Sequence, residues 1–283
     1  MNTWMSVTGL AELAAELDLD FMNFIRERVS YWGHFKSLFL ANLDLTEIPI
    51  SLHRVDNIRI LNLAANKLQS LPSYFATLPL RQLTLYDNQF EVIPEELMQN
   101  KEIYELHLDK NKIETIQIQP TDLSNIHRLD ISDNPVAEKF SIHHNFLQRL
   151  KATDVHPKLF EINCPELTNL DLSDNDLTAY PTTITTPHLQ WLNLAGNSIE
   201  ELIPEDLPLQ TLHHLDLVVK QAEVIYPDQI KDLLHIRHVR ISFASPVNIE
   251  EISDKISALH RIAGKRVKLK RDQSTIEWIH QNR

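Results

Sequence analysis

Glycine is scarce: four in 283 residues, where ordinary usage would place about 20. That scarcity argues against any fold built on glycine-rich phosphate loops, and neither GxGxxG nor GxxxxGK(S/T) occurs. Cysteine is scarcer still. Cys164 is the one present, which excludes an intramolecular disulfide and any multi-cysteine zinc or iron–sulfur site and suits a reducing compartment. Long apolar runs are absent, none approaching the roughly 18 residues that a membrane helix needs. The N-terminal MNTWMSVTGLAELAAELD has no basic residue ahead of its apolar stretch and carries Glu12 and Glu16 inside it, so it does not read as a signal peptide. What remains is ordinary folded-protein composition, 43% hydrophobic and 23% charged, with a formal charge of −12.

What is abundant is self-similarity. The pattern apolar-xx-Leu-x-Leu-xx-Asn-x-apolar-xx-apolar recurs along the chain, often followed by Pro. Six copies carry the asparagine, at Asn66, Asn88, Asn111, Asn134, Asn175 and Asn197, behind the pairs Leu61/Leu63, Leu83/Leu85, Leu106/Leu108, Leu129/Ile131, Leu170/Leu172 and Leu192/Leu194. Weaker copies lie at Leu38/Leu40, at Leu215/Leu217 and at Val239/Ile241. The step from Leu129 to Leu170 is close to two repeats, and Leu147-xx-Leu150-x-Ala152 fits a degenerate coil within it.

Each position has a physical reason. Leu-x-Leu is a short strand with one face buried and the other open. Asparagine carries donors and acceptors together, so stacked copies can satisfy the backbone where the chain leaves the strand. The apolar-xx-apolar-Pro that follows closes the coil, and proline prevents the strand from continuing. One repeat cannot bury its own leucines, so neighbours must stack.

Over roughly residues 35–245 the chain resembles the leucine-rich-repeat superfamily. That resemblance implies an α/β fold: a curved horseshoe solenoid with a parallel sheet on its concave face and short helical or extended segments, such as Pro94–Leu97, on the convex side. We expect three parts of one continuous structural domain. Residues 1–34 form an N-terminal helical cap, with apolar stripes in helices over 7–17 and 20–32 and a stop at Gly33. Residues 35–245 form a solenoid of about nine repeats, irregular at 135–166. Residues 246–283 form an α/β C-terminal cap, with a helix at 248–262, a strand at 266–270 and a short helix at 275–280.

Catalysis finds little support. Cys164 has no histidine at a nucleophile–base spacing and reads as structural. The bacterial leucine-rich-repeat ubiquitin ligases carry a catalytic cysteine domain after their repeats, and no cysteine follows residue 245. Fourteen histidines include no HExxH, and the pairs His213/His214 and His235/His238 are spaced to point to opposite faces of a strand, so no metal or cofactor is expected.

Function is therefore sought on the open face of the strands. The central position of each Leu-x-Leu gives Phe39, Asn62, Thr84, His107, Asp130, Lys151, Asp171, Asn193, Asp216, Arg240 and Lys268. Flanking positions add Tyr86, Asp87, Glu105, Asp109, Asp133, Asp174, Trp191 and Phe243. From these the expected partner-binding set is Tyr86, Glu105, His107, Asp109, Asp130, Asp171, Trp191, Asn193 and Asp216. Asp133 and Asp174, each in Ser-Asp-Asn, fit turn chemistry as well as binding. Phe39 is expected to pack on the N-terminal cap. Lys255–Arg271 carries seven cations and no acid, but the acidic chain as a whole would repel phosphate, so a solvated cap face is the better reading there than a nucleic-acid site.

The expectation is a non-enzymatic protein-binding module, monomeric when free and without affinity for nucleic acid or membrane. It would recognise another protein on the concave face and modulate it, for instance by occluding an enzyme's active site. The repeats are similar to intracellular types, which implies a cytoplasmic protein. The composition is also similar to that of secreted effectors of intracellular bacteria, which would act in the host cytosol on a host protein or another effector. The rival reading is an adapter that links a captured protein to machinery such as a ubiquitin ligase. The 135–166 irregularity, with Lys139, His143, His144 and His156, is a secondary candidate surface.

Overall fold

The computed structural model describes residues 3–32, 35–55, 57–137, 139–200, 207–208, 210–219, 236–243, 267–269 and 275–279. The chain divides into two compact units, Met1–Val136 and Ala137–Arg283.

The first unit opens with α1 (Thr3–Glu16) and α2 (Phe21–Arg28), the latter capped by the Asp20 carboxylate on the Asn23 N–H at 2.9 Å. The chain then turns extended at Val29 and forms β1 (Val29–Trp32), antiparallel to β2 (Phe35–Phe39). This corrects the expected second helix over 20–32. The stripe Phe21, Phe24, Ile25, Val29, Trp32 suits a helix, but Val29, Tyr31 and Trp32 are also strong strand formers, and pairing with β2 decides the outcome. Phe24 is the buried member of α2, while Met22 is 72% exposed.

Next follow β3 (Ile58–Asn62), β4 (Gln82–Thr84), β5 (Glu105–His107), β6 (Ile116–Ile118) and β7 (Arg128–Asp130). Strands β2, β3, β4, β5 and β7 lie parallel in that order, with Leu38, Leu61, Leu83, Leu106 and Leu129 in register. The first four of these leucines are fully buried, as are Leu40, Leu63, Leu85 and Leu108 two residues on. Proline starts the return segments as expected: Pro49 and Pro72 precede 3-10 turns at Ile50–Arg54 and Ser73–Ala76, and Pro94 precedes α3 (Glu95–Gln99).

The asparagine ladder forms as its chemistry predicts. Asn111 accepts from the Phe90 N–H at 3.1 Å and donates to the Leu85 and Leu108 carbonyls at 3.0 and 2.9 Å. Asn66, Asn88 and Asn134 repeat this between their own coil and the one before. In the second unit Asn175 and Asn197 do the same, and the Asn175 N–H itself bonds to Asn197 Oδ1 at 3.0 Å.

The second unit resolves the irregular stretch. Its main sheet contains β9 (Arg149–Lys151), β11 (Asn169–Asp171), β13 (Trp191–Ile199), β14 (His214–Val219) and β15 (His238–Phe243), all parallel, with Leu150, Leu170, Leu192, Leu215 and Val239 in register. Leu147, Leu150 and Ala152 are buried, so the degenerate coil exists. On the return side a second parallel sheet, unforeseen from the sequence, joins β8 (Lys139–His143), β10 (Leu159–Asn163) and β12 (Ile184–Thr185). It buries Phe140, Ile142, Phe160 and Ile162, with the two phenylalanine rings 5.0 Å apart.

At the far end, β16 (Val267–Leu269) lies within the stretch 266–270 expected as a strand, but the expected short helix at 275–280 is a strand, β17 (Thr275–Ile279). It pairs antiparallel with both β15 and β16. Thr275, Ile276, Trp278 and Ile279 are β-branched or aromatic, and an open sheet edge outweighs any weak helical spacing. The expected helix at 248–262 and most of the basic segment lie outside the described residues, as does His235.

Candidate functional site

The strand register decides what stands on the open face, since alternate residues point away from the core. In the first unit Glu105 and His107 on β5 face Arg128 and Asp130 on β7. His107 Nε2 meets Glu105 Oε1 at 2.9 Å, and Arg128 Nη1 donates to Glu105 Oε2 at 3.3 Å. Asp109, two residues beyond His107, completes a cluster: one ring nitrogen of His107 and one oxygen each of Asp109 and Asp130 lie within 4.8 Å of one another. Tyr86 stands apart from that cluster's bonds, its hydroxyl accepting from Lys110 Nζ at 3.0 Å while the ammonium sits 5.2 Å from the ring centroid. Phe39 is 37% exposed, less covered than packing against the cap would make it.

In the second unit the expected Trp191 does stand half-exposed on the open face, and it is not isolated. Trp191, His214 and His238 occupy equivalent positions on β13, β14 and β15. The indole stacks on His214 at 5.4 Å and 18°, and His214 meets His238 edge-on at 4.5 Å. Below this row Asn193, Asp216 and Arg240 are in register, and Arg240 Nη1 donates to Asp216 Oδ2 at 3.0 Å. Asp171 pairs with Asn193 on the adjacent strand.

Four central-position residues have a second duty that spacing does not reveal. Asp130 Oδ1 accepts from the Ser132 N–H and Oγ at 3.1 and 2.7 Å, and Asp171 Oδ1 from those of Ser173 at 3.1 and 2.8 Å. Asn62 and Asn193 accept from the N–H two residues on at 2.9 and 3.0 Å. Each is an Asx turn; those at Asn62, Asp130 and Asp171 fall on the last residue of their strand, and that at Asn193 lies within β13. Asp87, Asp133 and Asp174 adopt the left-handed conformation, with φ of 55°, 54° and 56°, so turn chemistry accounts for the Ser-Asp-Asn aspartates.

His214 and His238 are the residues that sequence reasoning missed. Judged as neighbours in the chain, His213/His214 and His235/His238 look dispersed; judged at the repeat spacing, 191, 214 and 238 fall on one row. On the secondary surface Glu161 binds Lys139 at 2.9 Å, His143 at 3.1 Å and the Ser141 hydroxyl at 3.2 Å, and the bonds from Lys139 and Ser141 hold its carboxyl below the usual value. His156 bridges Asp154 at 2.5 Å and Asp176 at 2.9 Å, while His144 is buried. Cys164 is buried too, and burial pushes its thiol up to about 12, so it is almost wholly protonated at neutral pH.

A leucine-rich-repeat family model matches residues 188–209. Keratocan of Danio rerio is 29% identical over 181 residues, which is 62% of this chain and 49% of keratocan, so the chain spans about half the length of that relative. A solved leucine-rich-repeat protein of Leptospira interrogans is similar in fold at a TM-score of 0.59, with 22% identity over 78% of this chain and 58% of that one. With the leucine register, the asparagine ladder and these likenesses together, the chain has the leucine-rich-repeat solenoid fold.

Proposed function

We propose that this protein is a non-enzymatic binding module that holds a partner protein on the open face of its main sheet. The contiguous ring row Trp191–His214–His238 carries the proposal. An aromatic row on strands fixed by a backbone ladder loses little entropy on binding, and tryptophan is among the residues enriched at interface anchors. Asp171 and the Asp216–Arg240 pair beside it supply polar selection of the partner. A rigid sheet laid over an enzyme's active site would inhibit that enzyme by exclusion.

The test is affinity capture with wild type and a Trp191→Ala/Asp171→Lys variant whose circular dichroism matches wild type. A partner retained by wild type and lost by the variant supports the proposal, and assaying that partner's activity with and without this protein tests inhibition. Equal retention by both would move the binding surface off this face.

A further inference from the structure

We propose that His107, Asp109 and Asp130 form a binding site for a divalent transition-metal ion, with zinc the first choice. The site is distinct from the aromatic row and does not depend on the partner-binding reading. Two of its three donors come from neighbouring strands, His107 and Asp130 being register partners, and Asp109 lies two residues beyond the end of β5. Their ligand atoms converge to within 4.8 Å of one another. Zinc holds nitrogen and oxygen at about 2.0–2.2 Å, so ligand atoms on one ion stand about 3–4 Å apart, a small side-chain adjustment from the distances here. All three side chains are half-exposed, so an ion can reach them.

The imidazole sets this cluster apart from a group of surface carboxylates. Calcium and magnesium take oxygen ligands, whereas a nitrogen with two carboxylates suits zinc and its first-row neighbours. The surroundings already hold the donors in place. Glu105 Oε1 lies 2.9 Å from His107 Nε2 and is itself bonded to Arg128. A ligating histidine commonly has a carboxylate beside its ring that fixes the ring's orientation, and Glu105 stands in that position here. Asp130 is oriented independently, by the Ser132 N–H and hydroxyl on Oδ1. Three protein ligands would leave coordination positions for water or for a donor from another molecule.

Titration calorimetry of the full chain, stripped with a chelator, tests the site with zinc, magnesium and calcium chlorides in separate runs. Because the chain has 14 histidines, the informative quantity is the difference between variants. Asp130→Asn keeps an acceptor for Ser132 and removes the charge, and His107→Gln removes the imidazole. Each is expected to lose one zinc equivalent per chain, and the zinc-induced rise in melting temperature attributable to it, while melting without metal stays as in wild type. Glu105→Gln is expected to weaken that equivalent by about 10-fold without removing it. If either variant melts early, Asp109→Asn replaces it in the same comparison. Identical zinc isotherms for wild type and variants would overturn the proposal, as would no zinc uptake by wild type or tighter binding of calcium than of zinc.

Discussion

At the residue scale the buried asparagines carry more of the fold than their polarity suggests. Asn111 is 7% exposed and serves the Phe90 N–H and two carbonyls at once. Asn111→Ala would leave the Phe90 N–H and those carbonyls short of partners, so we expect a loss of about 2–3 kcal/mol, read as a lower urea midpoint with unchanged slope. Gly196 is a second sensitive position. Its φ is +69°, and an added Cβ would lie 1.7 Å from Asp174 Oδ1, so Gly196→Ala combines left-handed strain with a clash. It should lower the melting temperature, and pairing it with Asp174→Ala should recover part of the loss, because only the clash is relieved. The site was partly legible at this scale. Trp191 is readable because an indole on an open strand face has no core to fill. The Asx role of Asp130 and Asp171 was hidden, since a strand-ending turn and a binding position look alike in sequence.

At the scale of elements, the join between α1 and the first 3-10 turn is an electrostatic one. Glu16 accepts from the Ile50 N–H at 2.6 Å, the Ser51 N–H at 2.9 Å and the Ser51 hydroxyl at 2.5 Å. Burial acts to raise its pKa, but the Ser51 and Ile50 hydrogen bonds prevail and hold it below the ordinary 4.5. A lowered folded pKa means that stabilisation is full above the unfolded value and disappears as pH falls through the folded one. Glu16→Gln should therefore melt earlier than wild type at pH 7, with the gap closing below about pH 4. Strands with Leu-x-Leu were legible because burial imposes a period of two. The β1 and β17 segments were not, because Val29–Trp32 and Thr275–Ile279 suit helix spacing and strand composition equally, and long-range pairing chose between them. Strands β8, β10 and β12 were obscured because return segments expected to be helical or extended do not reveal which of them will pair into a second sheet.

At the scale of the whole molecule, stability is a sum over neighbours. Leu106 is fully buried and contacts coils on either side through β4 and β7. Leu106→Ala should cost about 2–5 kcal/mol. Hydrogen exchange should quicken most in β4, β5 and β7 and least in β2, whereas uniform quickening across the first unit would contradict neighbour-limited coupling. The antiparallel strands have a further consequence. Every strand from β2 to β5 runs the same way, and a stack of that kind could in principle be continued by another copy of itself, as a polymer grows by adding identical monomers. At one end of the first unit's sheet β1 reverses direction, and at one end of the second unit's sheet β17 reverses again, with a β16 only three residues long outermost. A parallel coil arriving there meets a strand of the wrong polarity and too little length to template it. The chain thus carries its own chain-growth terminators, and deleting residues 267–283 should convert a species of fixed size into one whose sedimentation coefficient rises with concentration.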